Sequence, residues 1–518
     1  MITPGILYIT GALLLFLAVH EKIKYVISLL ITVGALIITF NLVLGYSVQL
    51  EFLHYTLTPF RVDNISKITG LIFTVGGLAS VMYCIHVCSI SNLRLIFLFI
   101  GSALTVVFSG DFFTLYVFWE LMTISSAFII MMASDTTKKI GYYYFLMHVA
   151  GSLCLLWGIF LQYSATGTLT LNTIEAGMPF FMIAVGVKLA FMGFHTWLPP
   201  AYSKAPFYVS VVLSIFTTKV GVYVMSLLVP GIHWLAYAGL ISALFGIVMA
   251  LRQNQVLKFL SYSIIIQVGF MIIGISIGTE AGISGAIFHV VNHILYKTVL
   301  FMAVGVVIYT TGEDTFENLG VMGRKLPVTS IATMVAFLGI AGVPFFNGYV
   351  SKTIIKDSLH EPLLTWGFNV MSFGTSLIFL KFIYYAFFKK NQFNVEKKTA
   401  ISMQFGLGVL TVLMLLVGIS PSLLENLATV NLDIKYFDTK HMLSGIYPFL
   451  WSILVFIFLK KYLVKNYERI LHYDLYRKLA TVFVTTGYQL STYHDGKLNT
   501  YLLWATTTLI ILLSLLMF

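Results

Sequence analysis

At 518 residues the chain is long enough for several soluble domains, but 59% of it is hydrophobic and only 10% charged, a balance that excludes the soluble globular class. Its formal charge of +11 comes from lysines and arginines scattered through connecting loops, not from a long basic run, so it reads as positive-inside membrane topology and not as nucleic-acid binding. The three cysteines, Cys84 and Cys88 in one apolar stretch and Cys154 in another, match neither an iron–sulfur nor a zinc spacing and read as small buried hydrophobes.

Crossing a hydrocarbon core of ~30 Å takes about 20 apolar residues per helix, and such stretches follow one another almost without pause, enough for about 14 to 16 spans. The first, residues 2–19, has no basic leader and no small-residue cleavage site, so it reads as a transmembrane helix and not a signal peptide. Breaks fall at 20–24, 45–66, 91–94, 134–139, 166–173, 198–207, 251–255, 310–327 and 389–399. An outside N-terminus would put most cationic loops, those with Arg94, Lys138, Lys139, Arg324, Lys325 and Lys389 among them, on the cytoplasmic side.

An ionisable group at the centre of a span costs about 2.5 kcal/mol or more, so each one needs a reason. Glu120 is the one charge in the helix 112–132; it is either a partner that tunes a buried lysine or a structural carboxylate held by helix ends. Lys188 lies in the segment 182–194, which runs on into His195-Thr196-Trp197-Leu198-Pro199-Pro200, and the two prolines predict a break or kink there. A lysine desolvated beside a broken helix is suited to exchanging its proton. Lys219, one helix further on, is placed to receive a proton from Lys188, with a snorkelling side chain as the alternative.

In the helix 287–306, His289, His293 and Lys297 stand at i, i+4 and i+8, on one face and about 6 Å apart per step. They read as a relay. Metal ligation by the two histidines competes, but no acid or thiol lies nearby in sequence and Lys297 would repel a cation. The span 328–355 contains Gly342-Val343-Pro344 and then Gly348-Tyr349-Val350-Ser351-Lys352. Two interrupted, lysine-bearing helices in corresponding halves point to an inverted-repeat transporter. Lys381, in 376–388, is an exit-side relay or a side chain snorkelling toward Lys389. Residues 465–499 mix charges with apolar positions at helical spacing and predict an amphipathic surface helix before a last span, 501–518.

From about residue 112 to 388 these segments resemble the antiporter-like subunits of complex I, Mrp-type cation/proton antiporters and membrane-bound hydrogenase-type complexes, with Mrp D-type and hydrogenase-type members nearest. The resemblance rests on Phe118-Trp119-Glu120-Leu121-Met122, on Gly186-Val187-Lys188-Leu189 running through His195 to Pro199, and on Thr218-Lys219-Val220-Gly221. It rests also on Ser261-Tyr262-Ser263 with Gln267 and Gly269, on His289 through Lys297, and on Gly342 through Lys352. The sequence departs from the family at Pro200, Lys204 and Gln255, all in loops, which bears on entry or regulation more than on the central path.

The resemblance implies an all-α polytopic membrane protein with two inverted five-helix repeats, 94–230 and 231–390. Around them would lie N-terminal helices at 1–93, C-terminal helices at 391–464, and the surface segment with the last helix at 465–518. Each repeat would carry a broken helix, marked by Pro199 and Pro200 in one and by Pro344 and Gly348 in the other. Half-channels would be joined by a line in which Glu120 pairs with Lys188, Lys219 and His293 relay, and Lys352 gates the exit.

It further implies a proton- or sodium-translocating subunit, without catalysis of its own, in the cell membrane. Its partners would be other antiporter-like and small Mrp-like membrane subunits and, in a respiratory complex, iron–sulfur or nickel–iron redox subunits. No cofactor is expected in the chain, which has neither a phosphate-binding glycine loop nor a cysteine array. The rival readings are a stand-alone secondary solute transporter and a quinone-reactive membrane subunit.

Overall fold

Helix starts in this chain are written as polar caps ahead of apolar runs: Asp63, Ser89, Asp111, Ser134 and Thr279 each accept a hydrogen bond from the backbone N–H three residues on, which satisfies a donor the helix itself cannot. The computed structural model describes residues 3–463 except 18–19, 133, 313, 390–396, 431 and 433, and beyond them residue 485 alone. The surface segment and last span expected at 465–518 otherwise lie outside the described residues.

Helices α1 (Pro4–Leu14) and α2 (Glu21–Phe40) lead to an antiparallel hairpin, β1 (Ser47–Phe52) and β2 (Tyr55–Arg61). The expectation of a loop over 45–66 missed this hairpin, which turns through Leu53 and His54, both at positive φ. After α3 (Asn64–Cys84) come α4 (Ile90–Phe108), α5 (Phe112–Met131), α6 (Asp135–Thr166), α7 (Met178–Leu189), α8 (Leu198–Lys204) and α9 (Phe207–Leu228). Then follow α10 (His233–Leu251), α11 (Val256–Ile277), α12 (Glu280–Thr311), α13 (Met322–Lys325), α14 (Pro327–Ala341), α15 (Asn347–Asp357) and α16 (Pro362–Ile383). The described helices close with α17 (Ile401–Ile419), α18 (Ser422–Ala428) and α19 (Thr439–Leu463).

Among the described residues, 12 helices are long and apolar enough to cross a membrane. The expected 14 to 16 includes passages that this length criterion leaves out: α7 and α14 are short apolar pieces whose continuations, α8 and α15, lie beyond a break, α1 has only 11 residues, and the span expected at 501–518 lies outside the described residues. Two sets share one order: α4, α5, α6, α7/α8, α9 and α10, α11, α12, α14/α15, α16. In both, the third passage has 32 residues and the fourth is broken. Five passages are an odd number, so the second set starts from the opposite membrane face and is inverted relative to the first.

Helices α9, α11 and α12 are the core, with 94% of an 18-residue apolar window of each buried, against 11% in α19. The hairpin is held to the first set by Asp111, fully buried, whose Oδ2 accepts from Thr58 N at 2.8 Å while Oδ1 caps α5 through Thr114 N at 2.7 Å.

Candidate functional site

Both broken helices open through a pair of left-handed residues three apart, Ala190 and Gly193 in one, Gly342 and Phe345 in the other. The first break was expected near Pro199 and Pro200; it falls instead at 190–194, ahead of them. Both prolines sit in the first turn of α8, where a missing N–H costs nothing and the fixed φ suits a helix start. Pro344 does lie inside the second break. Gly348 opens α15 so close to Gly339 O that an added Cβ would clash with it, so the two helix halves meet only because this residue has no side chain. Carbonyls at the ends of the first halves are bonded from beyond the breaks: Trp197 Nε1 donates to Val187 O at 2.9 Å, and Lys352 Nζ to Ile340 O at 2.8 Å.

Lys188, the penultimate residue of α7, is buried. Its amine lies 3.3 Å from Thr123 Oγ1 and 4.6 Å from the centre of the Trp119 ring, both on α5. Glu120, between them in sequence, acts on Lys188 electrostatically without a direct ion pair, and its Oε1 has no hydrogen-bond partner. Gly221 on α9 lets the lysine stem pass: a Cβ there would sit 3.2 Å from Cβ and Cγ of Lys188.

The structure adds a residue that the sequence analysis passed over. His148 on α6 is buried beside Lys188, stacked on Tyr144 with ring centroids 4.0 Å apart and set edge-on to Trp197 at 4.4 Å. Its Nδ1 is 2.9 Å from Tyr144 O, and its Nε2 has no partner. Tyr144 and Tyr202 both lie beside Thr217, two residues before Lys219, and both rings pack on Trp197. The signal was present, since His148 is the one histidine of a window, 140–162, that holds no Asp, Glu, Lys or Arg.

Lys219 is fully buried and donates to Ser214 O at 2.5 Å, so its amine turns inward and does not snorkel. Lys219 across the interface, and Lys297 and His289 on α12 itself, are the ionisable neighbours of His293, whose two ring nitrogens have no partner. Lys297 Nζ donates to Leu260 O at 3.0 Å and to Ser263 Oγ. His289 has both nitrogens engaged, Nδ1 with Ser351 Oγ at 2.9 Å and Nε2 with Gln267 Oε1 at 3.2 Å, so it has none to offer a metal. Lys352 is its next charged neighbour.

The described part of the chain therefore brings Lys188, Lys219, His293, Lys297, His289 and Lys352 into one buried succession, with the half-buried Glu120 at its Lys188 end. Lys381 stands apart from it. Its amine donates to Leu251 O at 2.8 Å and Gln253 O at 3.1 Å and so caps the C-terminal end of α10, a favourable place for a cation.

Similarity to known proteins follows the same stretch. The sequence model of the family described as NADH:quinone oxidoreductase/Mrp antiporter, TM matches residues 109–380. The protein named "Putative antiporter subunit mnhA2" of Staphylococcus haemolyticus is 30% identical over 383 residues, 64% of this chain and 48% of that protein, so the chain spans about half the length of this relative. "Putative antiporter subunit mnhD2" of Staphylococcus aureus is 30% identical over 368 residues, 65% of this chain and 73% of that protein. A chain of the membrane-bound sulfane sulfur reductase, an archaeal respiratory membrane complex, superposes with a TM-score of 0.81 over 99% of this chain and 100% of its own length at 22% identity, a likeness of fold. Because the matched stretch opens just before Asp111 and closes just before Lys381, both helix breaks and the whole buried succession lie inside it, and the chain belongs to the NADH:quinone oxidoreductase/Mrp antiporter transmembrane family.

Proposed function

We propose that this chain is the ion-translocating, antiporter-like subunit of a multisubunit membrane complex, multi-pass in the cell membrane with its N-terminus outside. Other membrane subunits, antiporter-like or small and Mrp-like, would surround it, and redox subunits, where the complex has them, would supply the energy. The observation that carries this reading is the buried succession of amines and imidazoles from Lys188 to Lys352. Groups of this kind carry protons, whereas sodium needs a shell of oxygen ligands.

A facing carboxylate stabilises a buried ammonium, so a shift of Glu120 away from Lys188 strips the ammonium of its counter-charge and drives its proton onward. The Thr217 cluster, Lys219 and His293 would take that proton to Lys297, and His289 would pass it to Lys352. A stand-alone solute transporter would need a solute cavity at the helix breaks. At the first break the rings of Tyr144, His148 and Trp197 pack on one another, and at the second the cleft beside Gly342 and Lys352 has a water-accessible volume of about 30 Å³, far below the several hundred Å³ of a small-molecule site.

The test is ion transport in vesicles carrying the complete complex. Lys188→Ala and Glu120→Ala should each lower it by about 100-fold or more while the complex still assembles. Transport at the wild-type rate in both variants would remove the reading.

A further inference from the structure

At its Lys352 end the buried succession meets a cleft between α15, α16 and α19. Lys352 and Ser372 line it on the inside, and Lys356, Asp357, His441 and Ser444 further out; its water-accessible volume is about 30 Å³. That is room for about two water molecules.

The outer end is built around His441, in the first turn of α19. Its Nε2 is 2.7 Å from Asp357 Oδ2 on α15, and its Nδ1 is 2.7 Å from Asp438 Oδ1. The imidazole is 13% exposed and the two carboxylates 36% and 38%, so the cluster both lines the cleft and reaches the exterior. Asp438 is itself fixed by accepting from His441 N at 2.8 Å. On α15, Lys356 Nζ donates to Ser444 Oγ at 2.6 Å and Tyr349 OH donates to Tyr436 O. Before α19, Lys435 O lies 3.0 Å from His441 Nδ1, and Tyr436 OH donates to Glu425 Oε1 on α18 at 2.5 Å. Lys440 is the neighbouring cation on α19, and α16 faces the cleft with the neutral Asn369 and Ser372. All of His441's surroundings on α18, α19 and the loop between them lie beyond the family match at 109–380.

We propose that His441 is the group through which Lys352 exchanges protons with the aqueous phase, so that α19 belongs to the ion path; this rests on the translocation reading above and extends it. Only the imidazolium can donate to both aspartates at once, because a neutral ring has a single N–H. In the inward step the Nε2–H bond of His441 breaks, the proton passes through the cleft to the neutral Lys352 amine, and an N–H bond forms there. One positive charge moves from the mouth to the end of the line, and both aspartates stay anionic. The neutral ring then gives up one of its two carboxylate contacts until it is reprotonated from water. The outward step is the reverse.

Two measurements on the complete complex test this. The first is chemical rescue: His441→Ala should slow transport at least about tenfold, imidazole added to the medium should restore part of the rate, and the restored rate should track the pH of the added buffer. His441→Gln, which can still hold one aspartate, should assemble and remain slow. The second uses no transport: in a background with Cys84, Cys88 and Cys154 replaced, Ser372→Cys should react with a membrane-impermeant thiol reagent. Wild-type transport in His441→Ala, an assembled but slow variant that imidazole does not rescue, or a Ser372→Cys that stays unlabelled would each overturn the proposal. Were the wild-type complex to move no ion at all, the translocation reading would fall, whereas labelling of Ser372→Cys would still uphold the cleft as a route from water to Lys352.

Discussion

The buried amines of the succession are held by oxygens that cannot neutralise them. Lys188 rests on the Thr123 hydroxyl, Lys219 on Ser214 O, Lys297 on Leu260 O and Ser263, and Lys352 on Ile340 O. Hydroxyls and carbonyls lower the penalty of burying an ammonium without locking it into an ion pair, so the proton stays available to the next group. His148 fits the same pattern, with one nitrogen anchored on Tyr144 O and the other unpartnered beside Lys188. His148→Phe keeps the ring stacking on Tyr144 and Trp197 but removes the free nitrogen. It should leave the melting temperature of the complex within a few degrees of wild type and slow transport by about tenfold or more. An unchanged rate, measured by vesicle acidification, would make His148 a packing residue only.

Most of this succession was legible from sequence, since a charge in an apolar window is conspicuous and costly. What was not legible is contact. That Lys188 leans on Trp119 and Thr123 and not on Glu120 itself, or that Lys381 caps α10 from 130 residues away, depends on which helices become neighbours, and no local pattern records that.

At the scale of elements, the helix breaks depend on tight packing more than on proline. Ala190 at φ +55 is an uncommon conformation for a residue with a Cβ and leaves no mark in the sequence, which is why the break was expected at the prolines downstream. The second break was easier to read because Gly342, Pro344 and Gly348 all declare it. Gly348→Ala should force α15 away from Gly339 O and destabilise the complex by about 1–3 kcal/mol, as overpacking does, seen as a lower melting temperature. Gly408→Ala on α17, where an added Cβ meets nothing within 4 Å, is the matched control and should be neutral or stabilising by about 0.5–1 kcal/mol. Equal melting temperatures for the two variants would show that the halves of the second broken helix are not in contact.

At the scale of the whole molecule, the two inverted sets meet where Lys219 of α9 faces His293 and Lys297 of α12, two of the most buried helices. This junction decides whether the chain holds one path or two. If the sets are half-channels in series, every ion passes both Lys188 and Lys352, and removing either should cut transport by about 100-fold. The double variant Lys188→Ala/Lys352→Ala should then be no slower than the slower single variant. Two independent channels would behave differently: each single variant would keep about half the rate, and only the double variant would lose nearly all of it. Initial rates of ion uptake in matched vesicles for the two single variants and the double variant separate these cases, and half-rate single variants would remove the continuous line from Glu120 to Lys352.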